Sequence, residues 1–163
     1  MRCPLPTRRA FVLPRVPMPV LLVRHGEAVG SQGEDAHRYL TYKGRSDTLK
    51  VGRALKDRAI TASQILASPL VRAVQTAEIL AHVLGFDGMI VTDPALVPDG
   101  DPVAAARRIP VSTGTTIVVC HEPIVRGIAA HLSGQPQFPS FRTSGCALVE
   151  GTRVTLALHP DNV

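Results

Sequence analysis

Val20-Leu21-Leu22-Val23 is a wholly apolar run that stops abruptly at Arg24-His25-Gly26-Glu27. A short apolar run bounded by polar residues is the pattern of a strand buried on both faces. The apolar period then vanishes over residues 30–38, which predicts a surface loop. Thr41 is placed to cap a helix over residues 42–58, with Leu49, Ala54 and Leu55 on its apolar side and Arg45, Arg53, Lys56 and Arg58 on its wet face. Residues 64–67 read as a short strand. Ser68-Pro69 reads as the N-cap and first position of a second helix, carrying Val71, Val74, Ile79 and Leu80 on one broad face and ending at Gly85.

Residues 89–91 make a weak strand, and residues 93–100 form a loop rich in Pro, Asp and Gly. A short helix is predicted over 102–108. The run Thr115-Thr116-Ile117-Val118-Val119-Cys120 is β-branched and apolar, as in a central parallel strand. His121-Glu122-Pro123 follows it, and a helix runs over 123–132 to Gly134. After a loop at 138–141, residues 146–149 and 154–158 read as a hairpin joined through 150–153. Strands that alternate with helices and end in a hairpin predict an α/β sheet covered by helices on both faces.

Composition narrows the function classes. Hydrophobic residues make up 45% of the 163-residue chain and aromatics only 4%, with no Trp, so the core is built from Val, Leu, Ile and Ala and offers little for base stacking. The net charge of +5 is concentrated at the N-terminus, where Arg2, Arg8, Arg9 and Arg15 stand with no acid within residues 1–17. Without them fourteen basic residues face thirteen acids, which argues against a nucleic-acid surface. A small-anion site needs only local charge. Cys3, Cys120 and Cys146 lack zinc spacing, and the latter two lie in apolar runs, as expected of inert core thiols in a cytoplasmic protein.

Residues 1–17 read as a disordered Pro/Arg-rich tail, or as the product of a start assigned too early, with Met18 the true one. Thr7-Arg8-Arg9 superficially resembles an export signal, but Pro14, Arg15, Pro17 and Pro19 interrupt the apolar stretch such a signal needs. Residues 18–163 are expected to form one domain. No segment is long and apolar enough to span a membrane as a helix.

Three predicted strands are followed at once by polar groups of one kind. The first delivers Arg24 and His25, the second Ser68 and then Arg72, the third His121. In open α/β sheets ligands bind beyond the carboxyl ends of the strands. Arginine forks and helix N-termini gathered there suit a phosphoryl group. His37, His82, His131 and His159 share no such placement and read as ordinary structural histidines.

Four segments carry a family resemblance: RHGEA at 24–28, LTYKG at 40–44, SPLVRAVQTA at 68–77 and VVCHEP at 118–123. Their order and spacing resemble the motifs of the histidine phosphatase (phosphoglycerate mutase-like) superfamily. The short length is most like its SixA-type phosphohistidine phosphatases. The resemblance implies a three-layer α/β/α sandwich on a mostly parallel sheet, with no metal and no cofactor. It implies that His25 is a nucleophile that becomes phosphorylated, and that Arg24, Arg72 and His121 bind the phosphoryl oxygens.

The chemistry expected is transfer to neutral His25 and then to water. The arginines disfavour imidazolium at His25, and His121 is the better candidate for a charged imidazole. Larger superfamily members carry an acid on an insertion between the motifs that hold Arg72 and His121, and no large insertion fits there. Glu27, Asp99 and Asp101 are the candidate acids. A weak acid suits an imidazole leaving group, hence a phosphohistidine protein such as a histidine phosphotransfer domain. Small phosphate esters are the alternative substrates, and a non-catalytic phosphate-binding module is the alternative of another class.

Overall fold

The computed structural model describes residues 18–31 and 33–163. The expectations for residues 1–17 fall outside them. The elements follow in the order β1 (Pro19–Arg24), α1 (Tyr42–Asp57), β2 (Ala62–Ala67), α2 (Val71–Leu84), β3 (Ile90–Thr92), α3 (Pro102–Arg108), β4 (Thr115–Cys120), α4 (Ile124–Ser133), β5 (Cys146–Glu150) and β6 (Arg153–Leu158). Single 3-10 turns at Asp35–His37 and Pro94–Leu96 interrupt the two long loops.

One six-stranded sheet has the order β3-β2-β4-β1-β5-β6. β3, β2, β4 and β1 are mutually parallel, and the β5–β6 hairpin adds antiparallel to β1. Alternate strand residues feed two cores. Leu22, Leu66 and Val118 pack with α3 and α4, while Leu21, Val23, Ile65, Ile117 and Val119 pack with α1 and α2. The result is the three-layer sandwich expected from the sequence, with β1 and β4 buried on both faces. Each of their fully buried Leu, Ile and Val side chains contributes roughly 1.5–3 kcal/mol.

In two helices the buried face is shifted from the expected one, although Leu55 and Leu80 are buried as expected. α2 turns Arg72, Ala73, Thr76, Ala77, Leu80 and Ala81 inward and leaves Val71, Val74 and Ile79 half-buried at its flanks. α1 buries Gly44, Thr48, Val51, Gly52 and Leu55, with Leu49 and Ala54 at its edge. Small residues take the centre because backbones approach closely there. A Cβ on Gly44 would lie 2.1 Å from the Glu27 carbonyl oxygen, and one on Gly26 would lie 2.8 Å from the Gly44 carbonyl oxygen. Polar-looking patterning thus concealed the tightest packing, which seats the segment after β1 against the start of α1.

α2 also starts later than Ser68-Pro69 suggested. The Ser68 N–H still donates to Val119 O at 2.9 Å, so this residue extends the β2–β4 ladder, and Leu70 is the N-cap. Gly85 and Gly134 end α2 and α4 at φ of +69° and +68°, the left-handed conformation that glycine adopts without strain. Thr41 caps α1 as expected, its hydroxyl accepting the Gly44 N–H at 2.9 Å.

Candidate active site

β1 and β4 lie side by side with Arg24 opposite Cys120, so His25 and His121 emerge next to each other. Their ring centroids are 4.9 Å apart. The helix after β1 packs on one face of the sheet and the helix after β4 on the other. Adjacent parallel strands whose connections part to opposite faces leave a crevice at their carboxyl ends. Arg72, on the first turn of α2, is brought in from β2, the other neighbour of β4.

His25 is held by its backbone. Its N–H donates to Cys120 O at 3.0 Å, and its carbonyl accepts the Ser144 N–H at 3.1 Å. Ring Nδ1 lies 2.7 Å from Gly26 O. A carbonyl can only accept, so Nδ1 carries the proton and Nε2 keeps its lone pair. The Gly26 N–H in turn donates to Thr76 Oγ1 at 3.0 Å.

Both arginines are fixed through Nη1 by main-chain carbonyls. Arg24 donates to Phe141 O at 2.7 Å and Arg72 to Asp35 O at 2.8 Å. Arg72 Nη2 also donates to the Asp35 carboxylate at 2.9 Å. Arg72 is 3% exposed and His121 1%. Even so, Arg24 Nε, Arg72 Nε and both ring nitrogens of His121 are buried without a hydrogen-bond partner among the described residues. Buried polar atoms are paired in the great majority of cases, so the Arg24 and Arg72 Nε–H groups and the one N–H of a neutral His121 ring stand out as donors without a protein acceptor.

Burial lowers the pKa of His25 to about 4, with Arg72, Arg24 and Arg38 adding to the effect against the Gly26 hydrogen bond. Burial, His25 and Arg72 lower that of His121 to about 3, opposed by Asp35. In this structure desolvation and neighbouring cations favour the neutral ring at His121, whereas the expectation of a charged imidazole supposes contact with an anion. A phosphoryl dianion would act on it in the opposite direction.

These shifts predict acid sensitivity. The native state takes up protons less readily than the unfolded chain between pH 6.5 and about 4 for His25, and down to about 3 for His121. The stability contributed by the neutral rings is thus complete above pH 6.5 and drains away as pH falls through that window. Urea midpoints measured from pH 7.5 to 4.5 are expected to fall steadily, and less steeply in His121→Gln. A constant gap between the two proteins across that range counts against the assignment.

Two of the three candidate acids are bonded to other groups. Glu27 Oε1 accepts the Thr41 hydroxyl at 2.8 Å. Asp101 caps α3, accepting the Ala104 N–H at 2.7 Å. Asp99 is exposed in the loop after β3. Among the described residues no carboxylate bonds to His25 or His121. Asp35, Thr76 and Ser144 belong to the site and were missed. Thr76 had a legible signal, one helical turn beyond Arg72, whereas Asp35 and Ser144 sit in loops with no periodicity.

Cys120 and Cys146 are buried free thiols whose pKa values burial pushes up to about 12, as expected of inert core cysteines. Among the described residues no group of His, Cys, Asp or Glu could hold a metal ion, and no helix is long and apolar enough to cross a membrane.

Residues 20–97 match the model of the histidine phosphatase superfamily, branch 1. The chain is 29% identical to the phosphohistidine phosphatase SixA of Escherichia coli (strain K12) over 81% of its own length and 84% of that protein's. It is 33% identical to a mitochondrial serine/threonine-protein phosphatase, Pgam5 of Drosophila willistoni, over 52% of this chain but only 29% of that one. A solved structure of the protein histidine phosphatase SixA complexed with tungstate superimposes with a TM-score of 0.82 at 26% identity, covering 89% of this chain and 99% of that one.

Proposed function

Because this chain belongs to the histidine phosphatase superfamily, whose SixA-like members are phosphatases, we propose that it hydrolyses phosphohistidine on a protein through a phosphorylated His25. The observation that carries the reading is the set of unpartnered buried nitrogens on Arg24, Arg72 and His121 around an imidazole whose Nε2 is free.

Nε2 of neutral His25 attacks phosphorus in line with the leaving group. The N–P bond to His25 forms as the bond to the leaving nitrogen breaks, and the substrate ring, protonated at its other nitrogen, departs as neutral imidazole. The Gly26 carbonyl holds the Nδ1 proton and steadies the positive charge that develops on the ring. Arg24, Arg72 and His121 take the non-bridging oxygens, supplying charge stabilisation without reorganisation. Water then attacks the phosphohistidine, releasing inorganic phosphate and restoring neutral His25, the proton of water passing to solvent or phosphate.

Two facts support a phosphohistidine substrate. No carboxylate among the described residues bonds to His25 or His121, and an imidazole leaving group needs far less proton donation than an alkoxide. SixA, similar over most of this chain, is named a phosphohistidine phosphatase, whereas Pgam5 is named a serine/threonine-protein phosphatase and supports only a phosphoprotein substrate in general. A histidine phosphotransfer domain in a reducing cytoplasm is the partner that fits.

A substrate panel tests this. Turnover of a phosphohistidine-bearing phosphotransfer protein is expected to exceed that of an alkyl phosphate by about 10²–10⁴-fold, the range a general acid supplies. Preference for small esters would reassign the substrate class. Phosphate binding without turnover of any panel member would identify a binding module instead.

A further inference from the structure

We infer that Asp35 is a positioning residue, which grips the end of the Arg72 guanidinium so that its opposite edge, Nε–H with the second Nη2–H, faces the phosphoryl group. This rests on the phosphoryl-pocket reading of the same site.

A guanidinium has two usable forks: an end-on pair on Nη1 and Nη2, and a side-on pair on Nε and Nη2. Asp35 takes the end-on pair, with its carbonyl on Nη1 at 2.8 Å and its carboxylate Oδ2 on Nη2 at 2.9 Å. The side-on pair holds the Nε that has no partner among the described residues although Arg72 is buried. Arg24 follows the same plan with one bond, its Nη1 on Phe141 O and its buried Nε unpartnered.

Asp35 is itself anchored. Its other oxygen, Oδ1, accepts Arg38 Nη1 at 2.9 Å. The two guanidinium bonds hold its carboxyl below the usual carboxylate range, so it stays ionised throughout neutral pH. It sits on a one-turn 3-10 segment, about half exposed, and its carbonyl also accepts the Arg38 N–H at 3.3 Å.

The sign of the expected effect separates this role from plain electrostatics. By Coulomb's law alone, removing a negative charge beside an anion site tightens anion binding. Loss of a positioning contact weakens it. Calorimetric titration of the full chain with inorganic phosphate at neutral pH is expected to show Asp35→Ala binding about tenfold more weakly than wild type, the scale of a lost charge-assisted bond.

Asp35→Asn keeps one acceptor oxygen for Arg72, now without the carboxylate's charge, and gives up the exposed Arg38 contact. It is expected to bind within about threefold of wild type, or more tightly. Equal or tighter binding by Asp35→Ala overturns the inference, as does an Asn variant as weak as the Ala variant. Absence of phosphate binding by the wild-type chain would instead overturn the phosphoryl-pocket reading, and this inference with it.

Discussion

Replacing His25 with alanine is expected to lower turnover of every phosphoryl substrate by roughly 10⁴-fold or more, the scale seen when a covalent nucleophile is removed. The loss should fall on kcat, because the groups proposed to hold the phosphoryl oxygens remain. The fold should persist: the bonds that tie residue 25 to Cys120 and Ser144 are main-chain bonds and do not need the imidazole. Two measurements check this. Steady-state rates compare the variant with wild type, and a labelled substrate quenched in alkali, where the N–P bond survives, traps phosphate on the wild-type protein only. A variant that keeps near wild-type activity rules out the two-step mechanism.

The second large effect is expected at Arg72. Arg72→Lys preserves the positive charge but is predicted to lower kcat/KM by about 10²–10³-fold, comparable to loss of one oxyanion donor. The guanidinium serves two masters at once, Asp35 on one edge and the unpartnered Nε on the other. An ammonium is a compact point charge and cannot reproduce two planar forks. It would stay with Asp35 or turn to the substrate, but not both. A lysine variant with near wild-type kcat/KM would show that Arg72 acts through charge alone. Circular dichroism and a melting curve separate this loss from unfolding, since Arg72 is buried in the α2 face that packs on the sheet.

The strands were the most legible part of the chain. Residues 20–23 and 117–120 are apolar throughout because β1 and β4 are covered on both faces, and such strands have no polar face to confuse the reading. Helix faces were harder. In α1 and α2 the positions of closest approach are Gly, Ala and Thr, which carry little hydropathy, so the apolar period pointed to the larger side chains at the flanks. The 3-10 turn that carries Asp35 has no period at all, and its importance comes from a contact across 37 residues of sequence.

What the sequence alone determined is the order of elements and the chemical types at strand ends: an Arg-His pair, an Arg one turn into a helix, and a second His. Local pattern suffices for this, because strand burial and helix caps depend on neighbouring residues. How those groups act on one another is set by packing between distant parts of the chain. Pairing of β1 with β4 in register sets His25 beside His121, and burial, with Arg72 and Arg24 nearby, lowers the pKa of both rings. Folding also spends one edge of each arginine on protein acceptors and leaves the other free. These are properties of distance and solvent exclusion between residues far apart in the chain, and no pattern along the chain encodes them.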